Sequence, residues 1–326
     1  MNNMKYAISN NLMNNQFNNG ISLLKLLAAF GIVGCHLNMR PTTKYGEMIL
    51  HFTGTNVALF GIISGYFLLY SIKKTNRWRD FLWKKTQRLL PVYLFWTIFY
   101  VILKILLDLT TKGEVTSSFK NPMRWFYIVF WGDAAAHLWY VISYFYISII
   151  VYSLRRWICY LWPIITVGAL IWCIKGWCGF FSWYPIRLMA FISIGIGISL
   201  NSTILSRVSR IGWIAFFLFS VIIHLFSPWR GWISIYDILV SVPLVMLFKD
   251  MTNQISPKLV YLSNCSFGIY LTHIFIAFAI GEVLRKIINP PYSAWLIIFD
   301  WTVIIVISLT LTLIIQHVPK LKYVVK

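Results

Sequence analysis

Charge is scarce in this chain. Charged residues make up 12% of its 326 positions, against about 25% in an average soluble domain. Asp and Glu together number nine, against 29 Lys and Arg. Hydrophobic residues make up 59%, and a soluble chain of this size has no core large enough to hide that much apolar surface. A soluble globular domain is therefore excluded. Cysteine is sparse and unpatterned. Cys35, Cys159, Cys173, Cys178 and Cys265 lie in or beside apolar runs and offer neither a zinc-ligand spacing nor a disulfide framework. They read as small hydrophobes. The chain also lacks a P-loop, a dinucleotide glycine fingerprint, a metal-ligand cluster and a nucleophile-elbow serine. No internal repeat with a period of about 20–50 residues is present. The first apolar run has no basic lead and small-residue cleavage site around it, so it is expected to be retained rather than removed as a signal peptide.

What is abundant is apolar sequence in long stretches. A spanning helix needs about 20 mostly apolar residues, and ten stretches qualify, with approximate cores at 21–38, 48–72, 89–109, 136–154, 157–175, 184–201, 211–227, 232–249, 261–281 and 295–316. The apolar run from Trp125 to Trp131 fits either an interfacial turn or part of the fourth span. Trp and Tyr are enriched at membrane interfaces, which suits an aromatic content of 18%. The expected fold class is therefore all-α, a polytopic membrane protein. It divides into a polar tail at 1–20, a membrane domain at 21–317 and a basic tail at 318–326, with no soluble domain expected beside it.

The net charge of +20 does not call for nucleic acid, because the cations sit between apolar stretches rather than on one soluble face. Basic loops at a membrane set topology and meet anionic lipid. Between Ile72 and Leu89 the sequence KKTNRWRDFLWKKTQR holds seven Lys and Arg, which places it in the cytoplasm. With ten spans both termini are then inside. Seventeen Lys and Arg fall on the inside and nine on the outside, with Lys25, Lys104 and Arg187 left within spans.

Ionisable groups inside a span are costly and normally face a partner or a wet cavity. Lys25 and His36 are eleven residues apart in the first span. On an α-helix that is about three turns, so they share a face about 16 Å apart. Lys25 fits two readings, a side chain snorkelling to the headgroups or a functional charge on the same helix face as His36. His36 is either a packing histidine or a general base, since imidazole titrates near neutral pH. Ser64 and Gly65 in the second span mark a helix crossing or a break. Lys84, Lys85 and Arg88 precede Pro91, which is tolerated near a helix start. They fit topology and lipid contact, or a phosphate site, since Arg matches phosphate oxygens bidentately. His137, Arg187, Asp237 and His273 are further polar groups within spans. Each fits an interhelical bond, and Arg187 with Asp237 makes a possible ion pair.

These pieces resemble the acyltransferase-3 family of bacterial membrane proteins, in particular its surface-polysaccharide O-acyltransferase branch, over essentially the whole chain. Lys25 and His36 match the family's opening signature of a basic residue, ten intervening residues and His. FGIISGYFLL from Phe60 resembles its second-span motif, and KTQRLLPVY from Lys85 its basic-x-x-Arg-hydrophobic-x-Pro motif. HLWYV from His137, FISIG from Phe191 and SFGIYLTH from Ser266 resemble three later landmarks, in the right order. One departure stands out: many relatives carry an acid shortly after the fourth-span Trp, whereas Trp139 is followed by Tyr140, Val141, Ile142, Ser143 and Tyr144.

The resemblance implies transfer of an acyl group, commonly acetyl, from cytoplasmic acyl-coenzyme A to a hydroxyl of a cell-surface or lipid-linked glycan. It places the chain as a multi-pass protein of the bacterial cytoplasmic membrane. Lys84, Lys85 and Arg88, with Ser64 and Gly65, would hold acetyl-coenzyme A, and Lys25 would add charge nearby. His36 would take the proton of the attacking hydroxyl, and an acyl-histidine intermediate is the alternative. His137, Trp139, Arg187, Tyr270 and His273 would meet the acceptor. Membrane lipid is the other expected partner, and neither a metal nor nucleic acid is called for. A transporter or lipid-linked sugar flippase also fits ten spans with buried cations, but it has no need for a coenzyme A phosphate site.

Overall fold

The computed structural model describes residues 18–37, 47–48, 52–112, 117–175, 183–226, 233–251, 255–287 and 293–325. Most of the expected polar tail at 1–20 lies outside the described residues, as do Lys5, Arg40, Lys44, Cys178, Arg230 and Lys326. Thirteen α-helices dominate what is described, with no strand among the described residues. They are α1 (Asn19–Gly34), α2 (Thr55–Lys74), α3 (Trp78–Lys112), α4 (Pro122–Trp131), α5 (Leu138–Ser153), α6 (Ile158–Lys175) and α7 (Trp183–Leu200). The short α8 (Ser202–Leu205), α9 (Arg210–Phe226), α10 (Ile233–Lys249), the short α11 (Pro257–Ser263), α12 (Ser266–Ile287) and α13 (Ala294–His317) follow. A helix stands on each of the ten expected apolar stretches. Five of them, α2, α3, α6, α12 and α13, contain segments long and apolar enough by length and composition to cross a membrane.

Burial is arranged for an apolar solvent. On α3 the residues Leu94, Phe95, Ile98, Ile102 and Leu106 are exposed along one stripe, and α6, α9 and α13 carry similar apolar faces. Polar groups are turned inward instead, including Ser143, Ser148, Asp237, Ser241, Ser308 and Thr312. Helices in lipid associate through small residues and polar bonds rather than through apolar burial. The α2–α7 crossing shows this. A Cβ added to Gly65 would sit 2.0 Å from the Ile192 carbonyl oxygen, and one added to Gly195 would sit 2.0 Å from that of Ile62. The two glycines let the backbones touch, and α2 runs unbroken through Gly65.

The sequence-based boundaries change in three places. Helix α3 begins at Trp78, not near Pro91, because the cationic stretch before it is built largely of good helix formers, with Asp80 in the first turn. Pro91 is therefore interior to the helix. The run 125–131 belongs to a separate helix, α4. Asn121 caps its start, with its side chain accepting from the Met123 amide at 2.9 Å, and Gly132 ends it at φ +76°. A side chain there would meet the Trp139 amide nitrogen at 2.5 Å. The ninth expected span is broken at Asn264 and Cys265, between α11 and α12.

Helix α1 packs against α2, α10, α11, α12 and α13, which places it at the centre. Helix ends meet in two groups. At one end Asn18 donates to the Lys249 carbonyl at 2.8 Å, and Tyr152 donates to the Thr75 carbonyl at 2.9 Å while stacking on Phe81. At the other end Trp139 stacks on Tyr184 with ring centres 5.0 Å apart, and Trp301 donates to the Phe30 carbonyl at 2.8 Å. The segment after α13 folds back on α3, where Trp96 donates to the Val324 carbonyl at 2.8 Å.

Candidate active site

A cavity of about 350 Å³ opens between α1, α2, α3, α5 and the start of α12. Lys25 comes from α1, Lys85 and Arg88 from α3, Ser64 and Ser71 from α2, and Tyr140 and Tyr144 from α5. Residues 85 and 88 share a helix face because they are three apart. Lys85 is buried, and its ammonium donates to the Tyr144 hydroxyl at 3.1 Å and lies 4.8 Å from the centre of that ring. No Asp or Glu lines the cavity, and among the described residues none of the three cations has an ion-pair partner. Three cations without a facing carboxylate, in a tyrosine-lined recess, suit a phosphorylated anion.

An aromatic wall closes the inner end. Ser64 and Tyr140 share a hydrogen bond of 2.8 Å, and Tyr140 donates to the Phe60 carbonyl at 3.1 Å. Phe60 stacks on Tyr270 with ring centres 5.8 Å apart. Beyond Tyr270 stands a row of three histidines. His36 and His273 have ring centres 5.2 Å apart, and His273 and His137 have theirs 5.3 Å apart. His36 is not on α1 itself. The helix ends at Gly34, and the closing turn, with the His36 amide donating to the Val33 carbonyl at 3.0 Å, carries the ring toward α12. His137 and His273 are buried, whereas His36 is half-buried. The Tyr270 hydroxyl donates to the His137 carbonyl. A second cavity of about 200 Å³, lined by Tyr100, Lys104, Ala136 and Ile274 among others, adjoins the row through Tyr100, whose ring lies 5.3 Å from that of His137.

Of the residues singled out from sequence, the basic cavity gathers Lys25, Ser64, Lys85 and Arg88, and the histidine row gathers His36, His137, Tyr270 and His273. Four others stand apart from these groups. Lys84 is exposed and does not line the cavity. Gly65 packs against α7. Arg187 is held by Asp237 through an ion pair of 2.5 Å between α7 and α10. Trp139 is engaged with Tyr184. Sequence reasoning passed over Tyr140, Tyr144 and Asn264 as lining residues. The spacing of four between the two tyrosines was the available signal, since it puts them on one face of α5.

A family profile described as an acyltransferase domain matches residues 18–317. The chain belongs to the acyltransferase-3 family. No curated protein and no solved structure matched it. This is a membrane acyltransferase, and the cavity and the histidine row lie within the matched region. Among the described residues of the acyltransferase, no group of three His, Cys, Asp or Glu could hold a metal ion.

Proposed function

We propose that this acyltransferase moves an acetyl group from cytoplasmic acetyl-coenzyme A to a hydroxyl of a cell-surface or lipid-linked glycan, as in the surface-polysaccharide branch of its family. The observation that carries this reading is the cavity holding Lys25, Lys85 and Arg88 without a carboxylate, separated from the three histidines by one aromatic wall. Lys85 and Arg88 bind the phosphates of the donor, and Lys25 adds charge beside them. The thioester arm extends along α1 past Ser64 and Tyr140. At its end His36 takes the proton from the acceptor hydroxyl as the oxygen attacks the thioester carbonyl. The catalytic unit is residues 21–317, with ten spans in the bacterial cytoplasmic membrane and both termini in the cytoplasm.

The test is direct. Purified protein is titrated with acetyl-coenzyme A, and cells with and without the gene are compared for labelled acetyl on surface glycan. Saturable binding and gene-dependent labelling are expected. A protein that neither binds nor hydrolyses acetyl-coenzyme A is a transporter or flippase instead.

A further inference from the structure

Hydrogen bonding decides what each ring in the histidine row can do. His273 Nδ1 lies 2.7 Å from the Tyr270 carbonyl oxygen and 3.2 Å from that of Ile269. A carbonyl only accepts, so Nδ1 carries the hydrogen, and in the neutral ring Nε2 is a bare lone pair. His137 is the mirror case. Its Nε2 donates to the Leu271 carbonyl at 3.2 Å, which leaves Nδ1 bare. Both bare nitrogens are buried and have no hydrogen-bond partner, a costly state that a nearby donor relieves. The adjacent imidazole with an uncommitted N–H is His36, which makes no side-chain hydrogen bond among the described residues. An N–H···N bond of about 3 Å between two imidazoles sets their centres about 5 Å apart, and the His36–His273 separation is 5.2 Å.

From this arrangement, and resting on the acyl-transfer reading above, we infer that His273 is the positioning residue for His36. In the structure at rest His273 Nε2 has no hydrogen-bond partner among the described residues; a turn of the adjacent His36 ring brings its N–H onto that nitrogen during catalysis. That bond selects one His36 tautomer, leaves the other His36 nitrogen bare as the base, and stabilises the imidazolium that forms. The Tyr270 carbonyl holds His273 in turn, and His137 packs behind it. In a serine-protease triad a buried carboxylate does this work; here, among the described residues, no carboxylate is hydrogen-bonded to any of the three rings. The step balances without further reactants. The acceptor oxygen bonds to the acyl carbon, and its proton passes to His36. The carbon–sulfur bond then breaks, and the departing thiolate takes that proton from His36. His273 gains and loses none.

Two variants of the full-length protein test this, assayed at matched membrane levels. His273→Phe keeps a ring of similar shape without the lone pair. His273→Gln gives up the ring but presents an amide oxygen near the place of Nε2. The expected result is a kcat loss of about 10²–10⁴-fold for Phe, with KM for acetyl-coenzyme A within about threefold of wild type, and partial rescue by Gln to at least about a tenth of the wild-type rate. A packing role gives the reverse order, with Phe active and Gln dead. That order, equal loss in both variants, or a wild-type rate for Phe overturns the inference while leaving acyl transfer standing. A wild-type protein that shows no acetyl transfer ends the acyl-transfer reading, and the inference with it.

Discussion

Neighbouring cations on α3 meet different surroundings. Lys85 is buried against Tyr144, Arg88 lines the cavity from an exposed position, and Lys84 is exposed outside the cavity lining. Their substitutions should separate accordingly. A hydrogen bond to a charged group contributes about 1.5–3 kcal/mol, so Arg88→Ala should weaken acetyl-coenzyme A binding about tenfold or more. Lys84→Ala should leave that affinity unchanged. Equal effects from the two in a binding titration would assign the loss to general surface charge. His36→Ala should act on turnover instead, lowering transfer by about 10²–10⁴-fold while donor affinity stays close to wild type. A wild-type rate of labelled acetyl transfer in that variant would remove His36 from the mechanism. Lys25→Ala should raise the donor concentration needed, and Lys25→Arg should keep part of the function.

Among the elements, the α2–α7 crossing holds the helix that supplies Ser64 to the cavity. Ser64 faces the cavity while Gly65, one residue on, meets the Ile192 backbone. Gly65→Ala forces the two helices apart, and overpacking of this kind costs about 1–3 kcal/mol. The variant should melt at a lower temperature in detergent than wild type. Gly168→Ala on α6 is the control, because a Cβ there meets nothing within 4 Å, and its melting temperature should be at or slightly above that of wild type, since Ala suits a helix interior better than Gly. A Gly65→Ala protein as stable as that control would mean the crossing tolerates a wider separation. The break between α11 and α12 belongs to the same picture. Irregular backbone at membrane depth is tolerated where it lines a cavity, and Asn264 at that break lines the basic one.

Across the whole molecule, the grouping of helix ends and the distribution of basic residues support one orientation. Asn18 with Lys249, and Thr75 with Tyr152, meet at one end, beside the cation-rich start of α3. That end should face the cytoplasm. A reporter fused after Lys326 should behave as cytoplasmic, and activity outside the cell would overturn the ten-span arrangement. The exposed apolar faces of α3, α6, α9 and α13 should also make the protein depend on detergent or lipid for solubility.

Much of this was determined by the sequence alone. The all-helical membrane class follows from how little charge there is to face water and how much apolar length there is to bury. The position of each major helix follows from runs of about 20 apolar residues, and Lys25, His36, Lys85 and Arg88 were visible as charges where charge is costly. Tertiary structure decided what those charges meet. Periodicity suggests a common helix face for Lys25 and His36, yet α1 ends before His36, and periodicity cannot bring His273 to His36 or Tyr144 to Lys85, because those contacts join helices distant in sequence. Nor can it separate Ser64 from Gly65, or show that Arg187 is already held by Asp237. Hydrogen-bonding capacity is a property of residue type. Which of a histidine's two nitrogens is left bare depends on the carbonyls that surround it, and here α12 supplies them by folding against α1 and α5.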